Sequence, residues 1–393
     1  MLVLKILFIG YIAIGFLYWL FTLVGVFRIV RGMRVIKDLD LVTPVEWPKV
    51  SVVIPACNEA ESLEGALKTV LAQDYPDLEI VLIDDRSTDA TGAIIDRLAA
   101  DDDRVKAVHI RELPDGWLGK VHALDYGFKN TTGRWLLFTD ADVYLAPDTL
   151  RRVVAYCEQR ELDHLSLMPD LWPSALLIDT AISGFIRIFC ICTRPWAVEN
   201  PRSSAFVGVG AFNFVRRSAL EKTPGFEWLR LEVADDVGLG LMLKRSGARC
   251  SIASGAGLIG LHWYRSLASM ARGVEKAYSS VGHCNPVKLV VTIALLALLE
   301  MCPFVAIAAL GMTWIQAAGA VMLLFAVASI VMLSRWAKRA LLPGLLFPLA
   351  IGLNLIFSLR AAWLGYRRGG VLWRDTLYTS SALREGVRVK LFH

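Results

Sequence analysis

The chain has 393 residues, 55% hydrophobic and 20% charged, with a mean hydropathy of +0.49. That is too apolar for an ordinary soluble domain and too charged for membrane helices alone, so a soluble domain joined to membrane spans is implied. A net charge of only +5 lacks the footprint of a nucleic-acid binder, and seven scattered cysteines without a C-x-x-C pair point to free thiols rather than zinc or disulfides.

In chain order, residues 1–30 come first, nearly unbroken apolar sequence long enough to span a bilayer. A cleaved leader would have a shorter core and a small-residue cleavage site, so this segment reads as an anchor. Arg28, Arg31, Arg34 and Lys37 place the adjoining domain on the cytoplasmic side of the cell's inner membrane by the positive-inside rule.

Residues 45–283 alternate strand and helix signals. Val50–Ile54, Ile80–Ile83 and Trp135–Phe138 read as buried parallel strands, and helical patterns intervene at about 60–72, 89–100 and 119–130. The alternation predicts an α/β domain with a doubly wound sheet, whose ligands sit outside the carboxyl ends of the strands. Polar residues gather at those ends: Pro55, Asn58 and Glu59 after the first, Asp84 and Asp85 with Ser87, Thr88 and Asp89 after the second, and Asp140 and Asp142 after a later one. Ser87 or Thr88 would serve equally as a helix cap. Acids at three successive strand ends repel one another unless a cation or hydrogen-bond donors compensate. No glycine-rich dinucleotide fingerprint or P-loop accounts for them.

Farther along, residues 175–198 are apolar but interrupted by Asp179 and Arg187. An in-plane interfacial helix fits better than a span, with a buried helix as the alternative. Apolar segments at about 287–311, 313–334 and 341–365 make residues 287–366 a C-terminal membrane region of about three helices. Glu300 in the first is expected to pair between helices. Pro343, Gly344, Pro348 and Gly352 suggest a broken or re-entrant last segment. A basic tail, 367–393, closes the chain; on the cytoplasmic side its Trp373, Arg374 and Tyr378 would dock on the catalytic surface.

Five stretches carry a resemblance to the family 2 glycosyltransferases of GT-A fold. Val50–Glu59 is similar to the family's opening strand and P-x-x-N-E turn, and Ile80–Asp89 to its D-D-x-S-x-D segment. Trp117-Leu118-Gly119-Lys120 resembles the W-x-G-K of members acting on lipids, Asp140-Ala141-Asp142 the D-x-D, and Val233–Leu239 the E-D-x-x-L. The resemblance implies that Asp85 accepts a hydrogen bond from uracil, with Asp84, Pro55 and Glu59 bordering the nucleoside. It implies that Asp140 and Lys120 flank the diphosphate, and that Asp142, with Asp140, binds Mg²⁺ or Mn²⁺. Asp236 is then the general base of an inverting transfer, and Asp235, standing where the family usually has Glu, is the other acid of the pair.

His262-Trp263-Tyr264-Arg265-Ser266 does not match the Q/R-x-x-R-W motif of polymer synthases and ceramide glucosyltransferases. The chain is more similar to lipid-modifying bacterial members, including the hopene-associated and carotenoid groups. Trp263 and Arg265 then contact donor or acceptor or anchor at the interface, and Phe185 lies on the acceptor's path. The implied reaction moves one sugar from a nucleotide-sugar, UDP-linked, to a hydroxyl of a membrane lipid within the bilayer. The alternatives are a polyprenyl-phosphate sugar synthase, a processive polysaccharide synthase and a non-catalytic scaffold. Neither the sugar, the lipid nor the oligomeric state is specified by the sequence.

Overall fold

The computed structural model describes residues 2–374 and 376–390; of the basic tail, 375 and 391–393 lie outside them. Helix α1 (Leu2–Gly32) leads into an α/β domain. Its strands are β1 (Val50–Ala56), β2 (Leu78–Asp85), β3 (Val105–Ile110), β4 (Trp135–Phe138), β5 (Tyr144–Leu145), β6 (His164–Met168), β7 (Asp170–Leu171), β8 (Asn213–Arg216), β9 (Cys250–Ser254) and β10 (Ile259–Leu261). Its helices are α2 (Leu63–Leu71), α3 (Thr91–Asp101), α4 (Gly119–Lys129), α5 (Thr149–Gln159), α6 (Leu176–Thr193), α7 (Arg217–Leu220), α8 (Asp235–Arg245) and α9 (Leu267–Val281). The chain continues through α10 (Pro286–Ile307), α11 (Thr313–Trp336), α12 (Leu341–Leu345), α13 (Phe347–Arg368), a hairpin of β11 (Gly370–Trp373) and β12 (Thr376–Thr379), and α14 (Ser380–Gly386).

The main sheet has the order β3-β2-β1-β4-β8-β6-β9. The first four strands are parallel, whereas β8 runs antiparallel to both β4 and β6. The predicted doubly wound sheet thus forms one half of a mixed one. Alternation along β1 explains its burial on both faces: Val50, Val52 and Ile54 enter one apolar cluster with Leu63, Leu67 and Ile95, while Val53 enters the other with Val81, Ile83 and Leu124. Trp135 stacks on Phe214 with ring centroids 4.7 Å apart, and Arg216 covers the ring at 4.4 Å. This pins the antiparallel junction between β4 and β8.

Among the described residues, five helices are long and apolar enough to cross a membrane: α1, the stretch Leu176–Ala197 containing α6, α10, α11 and α13. The last predicted segment is broken at Leu346 between α12 and α13. Both charges of α6, the helix expected to lie in the interface plane, have partners within the protein. Arg187 is not at a polar edge but 3% exposed, donating through Nη1 and Nη2 to Glu300 of α10 at 2.8 and 2.6 Å. Tyr18 of α1 also donates to Glu300, and Trp19 stacks beneath the guanidinium at 5.1 Å. Asp179 meets Arg339 at 3.4 Å. The charges that interrupt α6 are therefore spent on α10 and on the connection between α11 and α12, and α6 is held between the apolar helices and the α/β domain.

Removing one partner of a buried, bidentate pair leaves an uncompensated charge, typically a loss of about 3–5 kcal/mol. Glu300→Gln should lower the thermal midpoint of the detergent-solubilised protein strongly, and Arg187→Leu with Glu300→Leu should recover much of it; a Glu300→Gln midpoint equal to wild type would refute the pairing's structural role.

Candidate functional site

The carboxyl ends of β1, β2 and β4 are tied together by their loops. Asn58 adopts a left-handed conformation (φ 56°), tolerated by a short polar side chain. Its N–H donates to Ser87 Oγ (3.1 Å), and its Oδ1 accepts from the Thr88 N–H (2.8 Å). Glu59 N–H donates to Thr91 Oγ1 (2.9 Å) and Ala60 N–H to Asp89 Oδ2 (3.1 Å). Ser87 and Thr88 are thus loop ties rather than caps of α3, which starts at Thr91. Pro55 sits at the end of β1, in register with Ile83.

Asp84 and Asp85 are successive strand residues and so face opposite sides. Asp84 accepts from the Ser87 N–H (3.0 Å) and contacts His109 Nδ1 (2.9 Å), away from the other predicted acids. Asp85 is fully buried and bound by Arg86 through Nε (2.8 Å) and Nη2 (3.2 Å). Gly119 opens α4 directly against this pair; a Cβ there would overlap both side chains.

From the next position of α4, Lys120 reaches into the acids. Its Nζ lies 2.5 Å from Asp140 Oδ1 and 3.3 Å from Asp235 Oδ2. Asp235 Oδ1 accepts from Lys276 Nζ of α9 at 2.7 Å. Asp236, at the start of α8, accepts from the N–H groups of Gly210 and Val237, both at 2.8 Å. A methyl group on Gly210 would stand 2.8 Å from Asp140 Oδ2, 3.4 Å from Asp236 Oδ2 and 3.5 Å from Lys120 Nζ. The three predicted residues converge on this one glycine. Asp142 faces an adjoining cleft of about 190 Å³ with Asn58, Glu59, Tyr144, His262 and Arg265. There Arg265 donates to Glu61 at 2.6 Å. Trp263 packs edge-on to Phe185 of α6, ring centroids 5.2 Å apart.

The electrostatics separate the acids. Burial opposes a charge on Lys120, but Asp140, Asp235 and Asp236 more than offset it and hold the ammonium protonated. Burial would likewise raise Asp235, yet Lys120 and Lys276 hold it well below the usual carboxylate range. Asp236 is pushed up, by burial first and by Asp235 second. Asp142 is pushed up to about 7 by burial, with Asp140 and Glu59 adding to it. A carboxylate pair driven apart in this way is the pattern of acid–base chemistry, and an acid crowded by acids is one that a cation relieves.

Gly210, Lys276 and His262 were not singled out by the sequence motifs. Lys276 reads as a surface lysine on an amphipathic helix. The two glycines of Val207-Gly208-Val209-Gly210 ahead of β8 are the signal available, since glycine beside a strand marks close backbone approach. Gly208 indeed abuts the Asp236 carbonyl.

Residues 51–223 match the family model "Glycosyl transferase family 2". The chain is 30% identical to "Probable glycosyltransferase YdaM" of Bacillus subtilis over 59% of its own length and 56% of that protein's. It is 36% identical to the GalNAc(5)-diNAcBac-PP-undecaprenol beta-1,3-glucosyltransferase of Campylobacter jejuni over 24% of this chain and 30% of that one. The chain therefore spans about half the length of the first relative and less than a third of the second. Among solved structures it resembles the mannosyltransferase PcManGT of Pyrobaculum calidifontis, in complex with GDP-Man and Mn²⁺, with a TM-score of 0.56, 19% identity, and coverage of 92% of this chain and 98% of that one. The shared fold is GT-A.

Because Gly210 has no room for a side chain between Asp140, Asp236 and Lys120, Gly210→Ala should displace them; misplacement by about 1 Å costs on the order of 10²-fold in rate. Sugar-transfer assays on a variant that keeps the wild-type thermal midpoint would show this, and near-normal activity would refute the convergence.

Proposed function

We propose that this chain, which belongs to the family 2 glycosyltransferases through residues 51–223, moves one sugar from a nucleotide-sugar to a hydroxyl of a membrane lipid with inversion at the anomeric carbon. The observation that carries the reading is the Asp236 carboxylate, oriented by two backbone N–H groups and turned toward the Lys120–Asp140 pair at the strand ends. Asp236 takes the acceptor's hydroxyl proton, the oxygen forms its bond to the anomeric carbon, and the bond to the phosphate oxygen breaks with its electron pair leaving on the nucleoside diphosphate. Lys120 faces the charge that develops on that leaving group. The family resemblance assigns Asp85 to a uracil edge, and to accept from it the carboxylate would have to give up part of its contact with Arg86.

Among the described residues no three acids, histidines or cysteines stand together as a ready-made metal site, but Asp142 shares its small cleft with Glu59 and His262 and protonates near neutrality for want of compensation, which suits a hard divalent cation. Asp142 and Asp140 would hold Mg²⁺ or Mn²⁺, and the Mn²⁺ in PcManGT supports this. Bound there, the ion supplies Lewis-acid neutralisation of the diphosphate.

The lipid acceptor is supported by an aromatic row. Trp263 touches Phe185, Phe185 stacks toward Phe189 (centroids 6.3 Å apart), and Phe189 packs against the cluster that Val237, the residue after Asp236, forms with Leu241 and Val389. α6 carries that row while its other face binds α10, so an acyl or isoprenoid chain lying along it points its hydroxyl at the base. The Campylobacter relative's named acceptor is itself lipid-linked. The basic residues after α1, the return of β11–β12 to the catalytic domain and the break before α13 support a multi-pass inner-membrane protein with its catalytic domain and tail cytoplasmic and α12–α13 re-entrant.

The test is mass spectrometry of lipids from cells with and without the gene, followed by transfer assays on the purified protein. Asp236→Asn should cut lipid glycosylation by about 10²–10⁴-fold, with the acidic limb of the wild-type pH–rate profile well above pH 4 because Asp236 is raised. A tolerated Asp236→Asn would instead point to an acceptor already ionised, such as a polyprenyl phosphate. Phe185→Glu with Phe189→Glu should spare donor hydrolysis while abolishing lipid transfer; equal loss of both would refute the acceptor path.

If the cation sits at Asp142, its binding displaces a proton held up to about pH 7, so Mn²⁺ affinity should rise as pH increases from 6 to 8. Calorimetric titration of wild type and Asp142→Asn measures this, and a pH-independent affinity would count against the assignment.

A further inference from the structure

The end of the chain returns from the apolar helices to the nucleotide site. Arg368, the last residue of α13, donates to Glu275 of α9 at 2.9 Å, and Gly369 turns the chain with φ 68° into the β11–β12 hairpin. The hairpin lies against the start of α4: the Gly119 N–H donates to Tyr378 Oη and Arg86 Nη1 donates to Thr376 Oγ1, both at 3.4 Å. Trp373 presents its ring to Lys276, the ammonium 4.6 Å from the centroid.

Arg374 stands at the hairpin's tip in a left-handed conformation (φ 48°). For a non-glycine residue this is a strained conformation, and the guanidinium lies 3.6 Å from Glu59 Oε1. Its Nη1 is buried with no hydrogen-bond partner among the described residues. The neighbouring cations are each matched to an acid: Arg86 to Asp85, Lys120 to Asp140 and Asp235, Lys276 to Asp235, and Arg265 to Glu61. Arg374 alone of these five keeps a buried donor unspent. It faces Glu59 in the loop after β1, and beside it the Trp373 ring carries the Lys276 ammonium; a buried charged donor left without a hydrogen bond is costly enough to call for a ligand.

We infer that Arg374 binds the phosphates of the nucleotide donor and that the C-terminal hairpin forms that wall of the donor site. A planar guanidinium with a free N–H edge suits a phosphate, to which it donates charge-assisted hydrogen bonds. The left-handed tip is what aims it. The inference rests on the nucleotide-sugar reading and adds to it a residue beyond the membrane helices, outside the matched segment 51–223.

The experiment measures UDP, GDP and their parent nucleosides competing on the full-length protein in detergent with Mn²⁺. Arg374→Ala should weaken the diphosphate that the wild type prefers by about tenfold, the loss of one charge-assisted contact, while leaving the nucleoside within about twofold. Arg374→Lys should fall between. Thr376→Val, which removes only the hairpin's contact to Arg86, should preserve the diphosphate-to-nucleoside ratio. If Arg374→Ala weakens both ligands equally, or neither, the assignment is overturned. If the wild type binds neither diphosphate, the nucleotide-sugar reading itself falls, and this inference with it.

Discussion

The site depends on keeping converging carboxylates together. Two unit charges 4 Å apart repel by about 4 kcal/mol at the effective dielectric of a protein, and here Asp140, Asp235 and Asp236 all meet around Lys120. The ammonium that allows this comes from the first turn of α4, a helix that approaches the sheet closely because its leading residue is Gly119. Lys276 supplies the second positive charge from a helix far along the chain. With two lysines on Asp235, and burial beside that anion acting on Asp236 against the pull of its backbone N–H groups, adjacent residues acquire opposite tendencies: one is fixed as an anion, the other is raised toward the range where it exchanges a proton.

That arrangement also binds the soluble and apolar parts into one structure. α9 gives Lys276 to the site while Arg360 and Arg368 of α13 reach back to its Glu275. α6 shows Phe185 and Phe189 to the catalytic side and Arg187 to Glu300. Its Gly184 lets Ala350 and Asn354 of α13 come close. The apolar helices therefore help to fix the positions of Lys276, Phe185 and Phe189 beside the cluster of acids.

Much of this was legible in the sequence because its signals are local. Strands buried on both faces read as continuous apolar runs, and acids at strand ends stand out against them, so β1, β2, β4 and Asp140 emerge from pattern, whereas Asp236, at the start of a helix, was reached only through the family resemblance. The antiparallel β8 does not: Asn213–Arg216 is four residues long, and its place between β4 and β6 is decided by Trp135 stacking on Phe214 across the sheet. Charge was the other misleading signal. Arg187 looks like a polar interruption in one dimension and is a buried partner of Glu300 in three. Lys276 and Gly210 acquire meaning only through residues 41 and 26 positions away. Adjacent Asp84 and Asp85 are equivalent as letters, but strand geometry sends one to His109 and the other to Arg86.

The position of the hairpin in the chain has a consequence for how the protein is made. Synthesis runs from the N-terminus, and domains form as they emerge. Every strand of the main sheet leaves the ribosome before α10, whereas Trp373, Arg374 and Tyr378 come after α10, α11 and α13. The face of the α/β domain formed by Asp85, Arg86 and Gly119 thus meets the hairpin only after the apolar helices have been made. A nascent α/β domain that folds before those helices is, on this side, an incomplete one.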